Sequence, residues 1–168
     1  GTFKFYKDTQ SIADSFIDKI NNSVDIKAIV CYGNAGTGKS VLALKLFYEI
    51  PKAKILILNP KFYFCLNMPS YWKDGRASYK VDEMLEKINS EDILIVDEAQ
   101  RLEETQIIAL TKACKKIILF GDEKQSYKTN ENIMDITQMK KFLDKLDLGK
   151  IHKKKLNISK RYSDKVSK

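Results

Sequence analysis

The residues Gly33-Asn34-Ala35-Gly36-Thr37-Gly38-Lys39-Ser40 fit the pattern G-x-x-x-x-G-K-[ST]. In such a loop the glycines let successive backbone N–H groups turn inward around a phosphate, and the lysine adds a point charge. The closing hydroxyl is a hard oxygen ligand suited to Mg2+. Two other stretches end in residues of matching chemistry. Asp97-Glu98 follow the apolar run Ile93-Leu94-Ile95-Val96, and Gly121-Asp122-Glu123-Lys124-Gln125 follow Lys116-Ile117-Ile118-Leu119-Phe120. Transfer of a phosphoryl group from a nucleoside triphosphate to water needs a phosphate cradle, a metal, an oriented water and charge stabilisation. Each need has a candidate. Lys39 is placed to contact the β- and γ-phosphates, and Ser40 to bind magnesium. Asp97 would hold the metal through its water shell. Glu98, one residue on and aimed differently, would polarise the attacking water as general base. Gln125 would sense the γ-phosphate and orient that water.

These residues work together only if the elements around them converge. Ala28-Ile29-Val30-Cys31-Tyr32 before the glycine loop reads as a buried strand, and Val41-Leu42-Ala43-Leu44-Lys45-Leu46-Phe47 after it reads as a helix. Such a helix points its positive N-terminus at the phosphates, so the binding set runs from Gly33 to Val41. The helix stops before Pro51, and 54–59 forms a second buried strand ended by Pro60. An earlier amphipathic helix opens at Asp8-Thr9-Gln10, with Ile12, Phe16, Ile17 and Ile20 on one stripe, and closes near Asn21-Asn22. Val81, Met84, Leu85 and Ile88 mark a short helix, and 103–113 a further one. Ile136, Met139, Leu143 and Leu146 lie on one face of a helix over 135–146. Leu156-Asn157-Ile158 reads as the last strand. Strand and helix alternate about five times, which predicts an α/β fold: a mostly parallel five-stranded sheet with helices on both faces. Acids at the C-terminal ends of such strands stand where an open α/β sheet binds its ligands.

The chain of 168 residues suits one domain, 1–168, with a substantial core. No apolar run approaches the ~20 residues of a membrane span, and no apolar segment of a secretory leader follows Gly1-Thr2-Phe3-Lys4-Phe5. Cys31, Cys65 and Cys114 are odd in number and outside any C-x-x-C spacing. That pattern speaks against zinc and disulfides and for a reducing, cytoplasmic compartment. His152, alone of its type, excludes histidine-rich metal chemistry.

The formal charge of +8 favours polyanions such as nucleic acid, but a chain rich in Lys, Ile and Asn also arises from genomic bias alone. Between 61 and 79 aromatic residues, Phe62 among them, alternate with Lys61, Lys73 and Arg76. Such a stretch can stack bases and hold phosphates, or can simply cover the edge of a core.

Three motifs in order carry a family resemblance. Val96-Asp97-Glu98-Ala99-Gln100-Arg101, then Gly121-Asp122-Glu123-Lys124-Gln125-Ser126-Tyr127, then Leu156 through Arg161-Tyr162-Ser163 resemble motifs II, III and IV of superfamily 1 helicases, nearest the UvrD-like and Schlafen-like groups. The resemblance runs from the glycine loop to the C-terminus. It implies a RecA-like P-loop ATPase domain using ATP and Mg2+, with the Gly121 strand lying between the strand of the glycine loop and that of Asp97. It also implies a contact with single-stranded DNA or RNA at Asn59-Pro60-Lys61, an adenine-reading role for Gln10, and an arginine at Arg161 that reaches the γ-phosphate. In that family strand separation requires a second RecA-like domain, absent from this sequence, so the domain is expected to work with such a domain or with a neighbouring subunit. A PhoH-like single-domain ring ATPase shares the D-E-A-Q and G-D-x-x-Q pattern and remains an alternative. So does a regulatory module that uses ATP occupancy as a switch on nucleic-acid binding.

Overall fold

The computed structural model describes residues 7–34, 36–64, 75–123 and 134–157. Its elements in chain order are α1 (Lys7–Asn22), β1 (Ile26–Gly33), α2 (Lys39–Glu49), β2 (Ala53–Ile57), α3 (Lys61–Phe64), β3 (Ala77–Ser78), α4 (Val81–Lys87), β4 (Ile93–Asp97), α5 (Glu104–Ala113), β5 (Lys116–Asp122), α6 (Met139–Lys145) and β6 (Lys150–Lys155). One-turn 3-10 segments at Ala99–Arg101 and Ile136–Gln138 precede α5 and α6. The strands form one sheet in the order β3-β2-β4-β5-β1-β6. Every pairing is parallel. As the resemblance implied, β5 lies between β4 and β1.

The apolar runs become central strands because both of their faces are covered. Residues of one parity (Ile29 and Cys31, Ile55 and Ile57, Ile93 and Ile95, Ile118 and Phe120) pack into one layer with Ala13, Phe16 and Ile20 of α1 and Leu42 and Leu46 of α2. Residues of the other parity (Val30, Leu56, Leu94, Val96, Ile117, Leu119) pack beneath α4, α5 and α6 through Met84, Ile107, Leu110, Met139 and Leu143. The expected stripe of α1 is used, with Ile12 and Ile17 at its margin. The phenyl rings of Phe16 and Phe120 lie 6.4 Å apart across the helix–sheet contact.

The sheet departs from expectation at its two ends. It has six strands among the described residues, because Ala77–Ser78 pairs with Ile55 and Leu56. Two residues are too short a run to show any periodicity. The last strand among the described residues is Lys150–Lys155, and Leu156 and Asn157 lie beyond it. Apart from Ile151, which is buried, and the half-buried His152, the strand's side chains are exposed. Among the described residues β6 pairs only with β1, and lysines suit such an edge because they discourage pairing with other chains. Leu156 follows the strand, donating its N–H to the Tyr32 carbonyl at 2.7 Å, and Ile158 lies outside the described residues. Likewise 135–146 divides into a 3-10 turn, capped by the Asp135 side chain accepting from Thr137 N, and α6.

Candidate nucleotide and metal site

The glycine loop leaves β1 at Gly33 and enters α2 at Lys39. Gly36 and Gly38 have φ of 83° and 84°, the left-handed region that costs glycine nothing and other residues dearly. A Cβ on Gly33 would lie 2.9 Å from Thr37 Oγ1 and 3.1 Å from the Leu156 carbonyl oxygen, so the loop is closed by contact as well as by dihedral. Thr37 Oγ1 donates to the Asn34 carbonyl at 2.8 Å. Asn34 and Gly36 are exposed and Val41 is half-buried on the first turn of α2. Ala35 lies outside the described residues.

Lys39 folds back under the loop. Its ammonium donates to the carbonyls of Asn34 at 2.8 Å and Gly33 at 3.2 Å and to Thr37 Oγ1 at 3.2 Å. It also forms an ion pair with Asp122, the last residue of β5, both side chains being only 9% exposed. Ser40 Oγ donates to Asp97 Oδ2 at 2.7 Å. The first turn of α2 therefore reaches the C-terminal ends of both β4 and β5. Strand parity makes this possible. Asp97 continues the series Ile93, Ile95 and Asp122 the series Ile118, Phe120, so both carboxylates emerge on the face that α2 covers.

Asp97 is buried. Tyr63 Oη donates to the same Oδ2 at 2.7 Å, and the backbone N–H of Glu98 donates to Oδ1 at 3.0 Å. Burial raises the Asp97 carboxyl above its ordinary range, and the bonds from Ser40, Tyr63 and Glu98 N, with the charge of Lys39, oppose that shift. Burial likewise raises the Tyr63 phenol, and the neighbouring Asp97 adds to the rise.

Glu98 has φ 61° and ψ 42°, one of two non-glycine residues with positive φ among those described. This conformation is uncommon for a glutamate and is the kind of local strain found at functional sites. It turns the chain out of β4 immediately after Asp97. The Gln100 amide donates to Glu98 Oε2. Burial raises the Glu98 carboxyl, the Gln100 bond pulls it back, and the charges of Asp97 and Asp122 raise it further.

A magnesium ion needs hard oxygen donors in small number, completed by phosphate oxygens and water. A serine hydroxyl and a buried carboxylate 2.7 Å apart meet that requirement. No cluster of three or more His, Cys, Asp or Glu side chains suited to an all-protein metal site occurs among the described residues.

The other candidates are distributed differently. Gln10 is exposed on α1, and its amide donates to Asp14 one turn on, at 2.7 Å, rather than at the loop. Arg76, expected at a nucleic-acid phosphate, is a structural residue. Its guanidinium donates to the carbonyls of Phe47 at 2.9 Å and Ile50 at 3.2 Å, closing the C-terminus of α2, and to Ala53 at 3.0 Å. It also lies 4.2 Å over the Phe47 ring. Asn59 is half-buried and Lys61 exposed at the turn into α3. Lys73, Gln125 and Arg161 lie outside the described residues, as does the side chain of Phe62.

Sequence reasoning gave no role to three residues that the site contains. Asp122 could have been found, since it stands two residues past the buried run, with the parity of Phe120. Gln100 is signalled only as the fourth letter of D-E-A-Q. Tyr63 carried no positional signal among the many aromatics of its stretch.

A parallel sheet with a glycine loop between its first strand and the following helix, and acids at the ends of β4 and β5, defines a P-loop nucleoside triphosphatase of the helicase-like, RecA type. Residues 27–168 match the family described as Schlafen group 3, DNA/RNA helicase domain, and the chain belongs to that family. The family's description names a DNA/RNA helicase domain, and Schlafen-like is one of the groups that the three motifs resemble. No curated protein matches it. Among solved structures, a DNA replication initiation factor is 17% identical with a TM-score of 0.49, over 91% of this chain and 48% of that one. Domain III of the Thermotoga maritima replication initiation protein DnaA is 14% identical with a TM-score of 0.47, over 90% and 64%. The Pif1 helicase from Bacteroides in complex with ADP-AlF3 and ssDNA is 13% identical with a TM-score of 0.49, over 95% and 43%. The chain spans less than half the length of the initiation factor and of Pif1.

Proposed function

We propose that the chain binds ATP with magnesium and hydrolyses it, as the first RecA-like domain of a superfamily 1 type, nucleic-acid-dependent ATPase. The observation that carries this reading is the bond from Ser40 Oγ to Asp97 Oδ2. It joins the glycine loop to the end of β4 at one point, beside a lysine and a second carboxylate. Ser40 and Asp97 would hold magnesium, which when bound neutralises charge on the phosphates. Gly33 to Val41 would surround the phosphates with N–H groups and the Lys39 ammonium. Glu98 would take the proton of the attacking water. Its carboxyl is held by Gln100, and its raised proton affinity suits a base.

Gln125 as γ-phosphate sensor and Arg161 as a charge on the same phosphate complete the proposed set. Asn59 and Lys61, at the C-terminal end of β2, would meet single-stranded nucleic acid. A second RecA-like domain or a neighbouring subunit would supply the rest of the motor. No helix among the described residues is long and apolar enough to cross a membrane. The buried free thiols of Cys31 and Cys114 agree with the proposed cytoplasmic setting.

The test is Glu98→Gln. It keeps ATP affinity within about threefold and lowers turnover by at least about a hundredfold, the span of a general base. Unchanged turnover would remove Glu98 from its role.

A further inference from the structure

Among the described residues the carboxylate of Asp97 accepts from Ser40, Tyr63 and the Glu98 N–H, and Tyr63 is the donor that lies outside the glycine loop and the acidic pair. Ser40 Oγ would share its oxygen with a cation, and the Glu98 N–H belongs to the strained turn that carries the proposed base. Tyr63 comes from α3, beyond β2, and is 1% exposed. Its ring is packed in the same core layer as Leu42, Leu46 and Ile57, so its hydroxyl is delivered to Oδ2 at 2.7 Å by packing. A tyrosine pressed into a core solely for its area would have no need of a carboxylate partner, and phenylalanine would fill the same volume.

We propose that Tyr63 is a positioning residue for the magnesium site: its hydroxyl fixes the orientation of the Asp97 carboxylate, which with Ser40 would hold the cation. This rests on the assignment of Ser40 and Asp97 to magnesium. A carboxylate has about four acceptor sites, and two donors on Oδ2 leave Oδ1 the less committed oxygen. Without Tyr63, Ser40 is the one remaining donor to Oδ2 among the described residues, and the carboxylate can rotate when Ser40 engages the metal. A hydrogen bond to a charged group is lost, and the carboxylate must be ordered again each time the cation binds.

The test measures binding rather than turnover. The affinity of the full chain for a non-hydrolysable ATP analogue is followed across a magnesium chloride titration in wild type, Tyr63→Phe and Asp97→Asn. The expected result is that Tyr63→Phe leaves the magnesium-free affinity within about twofold and moves the magnesium midpoint upward about tenfold, in the direction of Asp97→Asn. A midpoint unmoved by Tyr63→Phe but moved by Asp97→Asn would overturn the role of Tyr63 while leaving the metal site intact. A midpoint unmoved by either variant would overturn the assignment of Asp97 to magnesium, and the role of Tyr63 with it. Equal losses with and without magnesium in Tyr63→Phe would show a packing role only, and would also overturn the proposal.

Discussion

Gly121 is glycine for want of space, and replacing it tests how tightly Gln100 and Glu98 are held. Its φ is not positive, so alanine is acceptable to the backbone. A Cβ there would stand 2.6 Å from Gln100 Oε1 and 2.9 Å from both Cγ1 and Cδ1 of Ile136. Ordinary contact begins at 3.4 Å, so Gln100 must withdraw by roughly 0.8 Å and Ile136 by roughly 0.5 Å. Neither has open space to move into, since Gln100 is 1% and Ile136 0% exposed. Overpacking of this kind costs about 1–3 kcal/mol. At about 2–4 °C per kcal/mol for a domain of this size, Gly121→Ala lowers Tm by about 2–12 °C in a thermal melt followed by circular dichroism. The obstacle is largely the Gln100 amide, so Gln100→Ala in the same chain returns part of the loss, and the double variant is more stable than the two single changes added together. The Gly121→Ala single variant also loses turnover, because the amide that must retreat is the one bonded to Glu98. A Tm within about 1 °C of wild type, or strict additivity with Gln100→Ala, would refute this packing argument.

Arg76→Ala removes three bonds to carbonyls and a cation–ring contact, and is expected to cost about 2–4 kcal/mol in urea unfolding. It should leave the salt dependence of oligonucleotide binding unchanged. Lys61→Ala should do the reverse, lowering the slope of log affinity against log salt by about 0.7 for a single strand, with little effect on unfolding. Asp97→Asn carries a pH signature. A carboxyl whose folded-state pKa is raised destabilises the fold above that value, and the penalty fades as pH drops through it toward the ordinary carboxylate range. The variant is therefore expected to melt higher than wild type at neutral pH, with the gap closing on acidification. A variant that melts lower at neutral pH would contradict the sign.

The central strands and the glycine loop were legible because their causes are local. A run such as Ile93 to Val96 has no polar face to leave exposed, and only a strand covered on both sides accommodates it. The terminal strands were not legible for the complementary reason. β6 is a strand because β1 offers it a partner, and its lysines are allowed by the edge and give no apolar pattern. Arg76 shows the same limit at a side chain. Its place between lysines and aromatics suggested a phosphate, but the carbonyls it meets belong to the end of α2 and the start of β2, residues far from it in sequence. Tyr63 and Gln100 depend on tertiary proximity in the same way.

The site itself follows from a conflict between two periods. Strand parity sends Asp97 and Asp122 out on one face of the sheet from the ends of neighbouring strands, β4 and β5. Consecutive residues on a helix point about 100° apart, so Lys39 and Ser40 on the first turn of α2 cannot serve the same acid. Each instead meets its own strand, Lys39 the Asp122 of β5 and Ser40 the Asp97 of β4. The spacing K-S in the loop and the insertion of β5 beside β4 are thus parts of one geometric requirement. With β4 and β5 exchanged in the sheet, the hydroxyl and the ammonium would face the wrong carboxylates. Glu98 leaves the strand through a left-handed turn, whereas a regular next residue would point to the opposite face, among Val96 and Leu119.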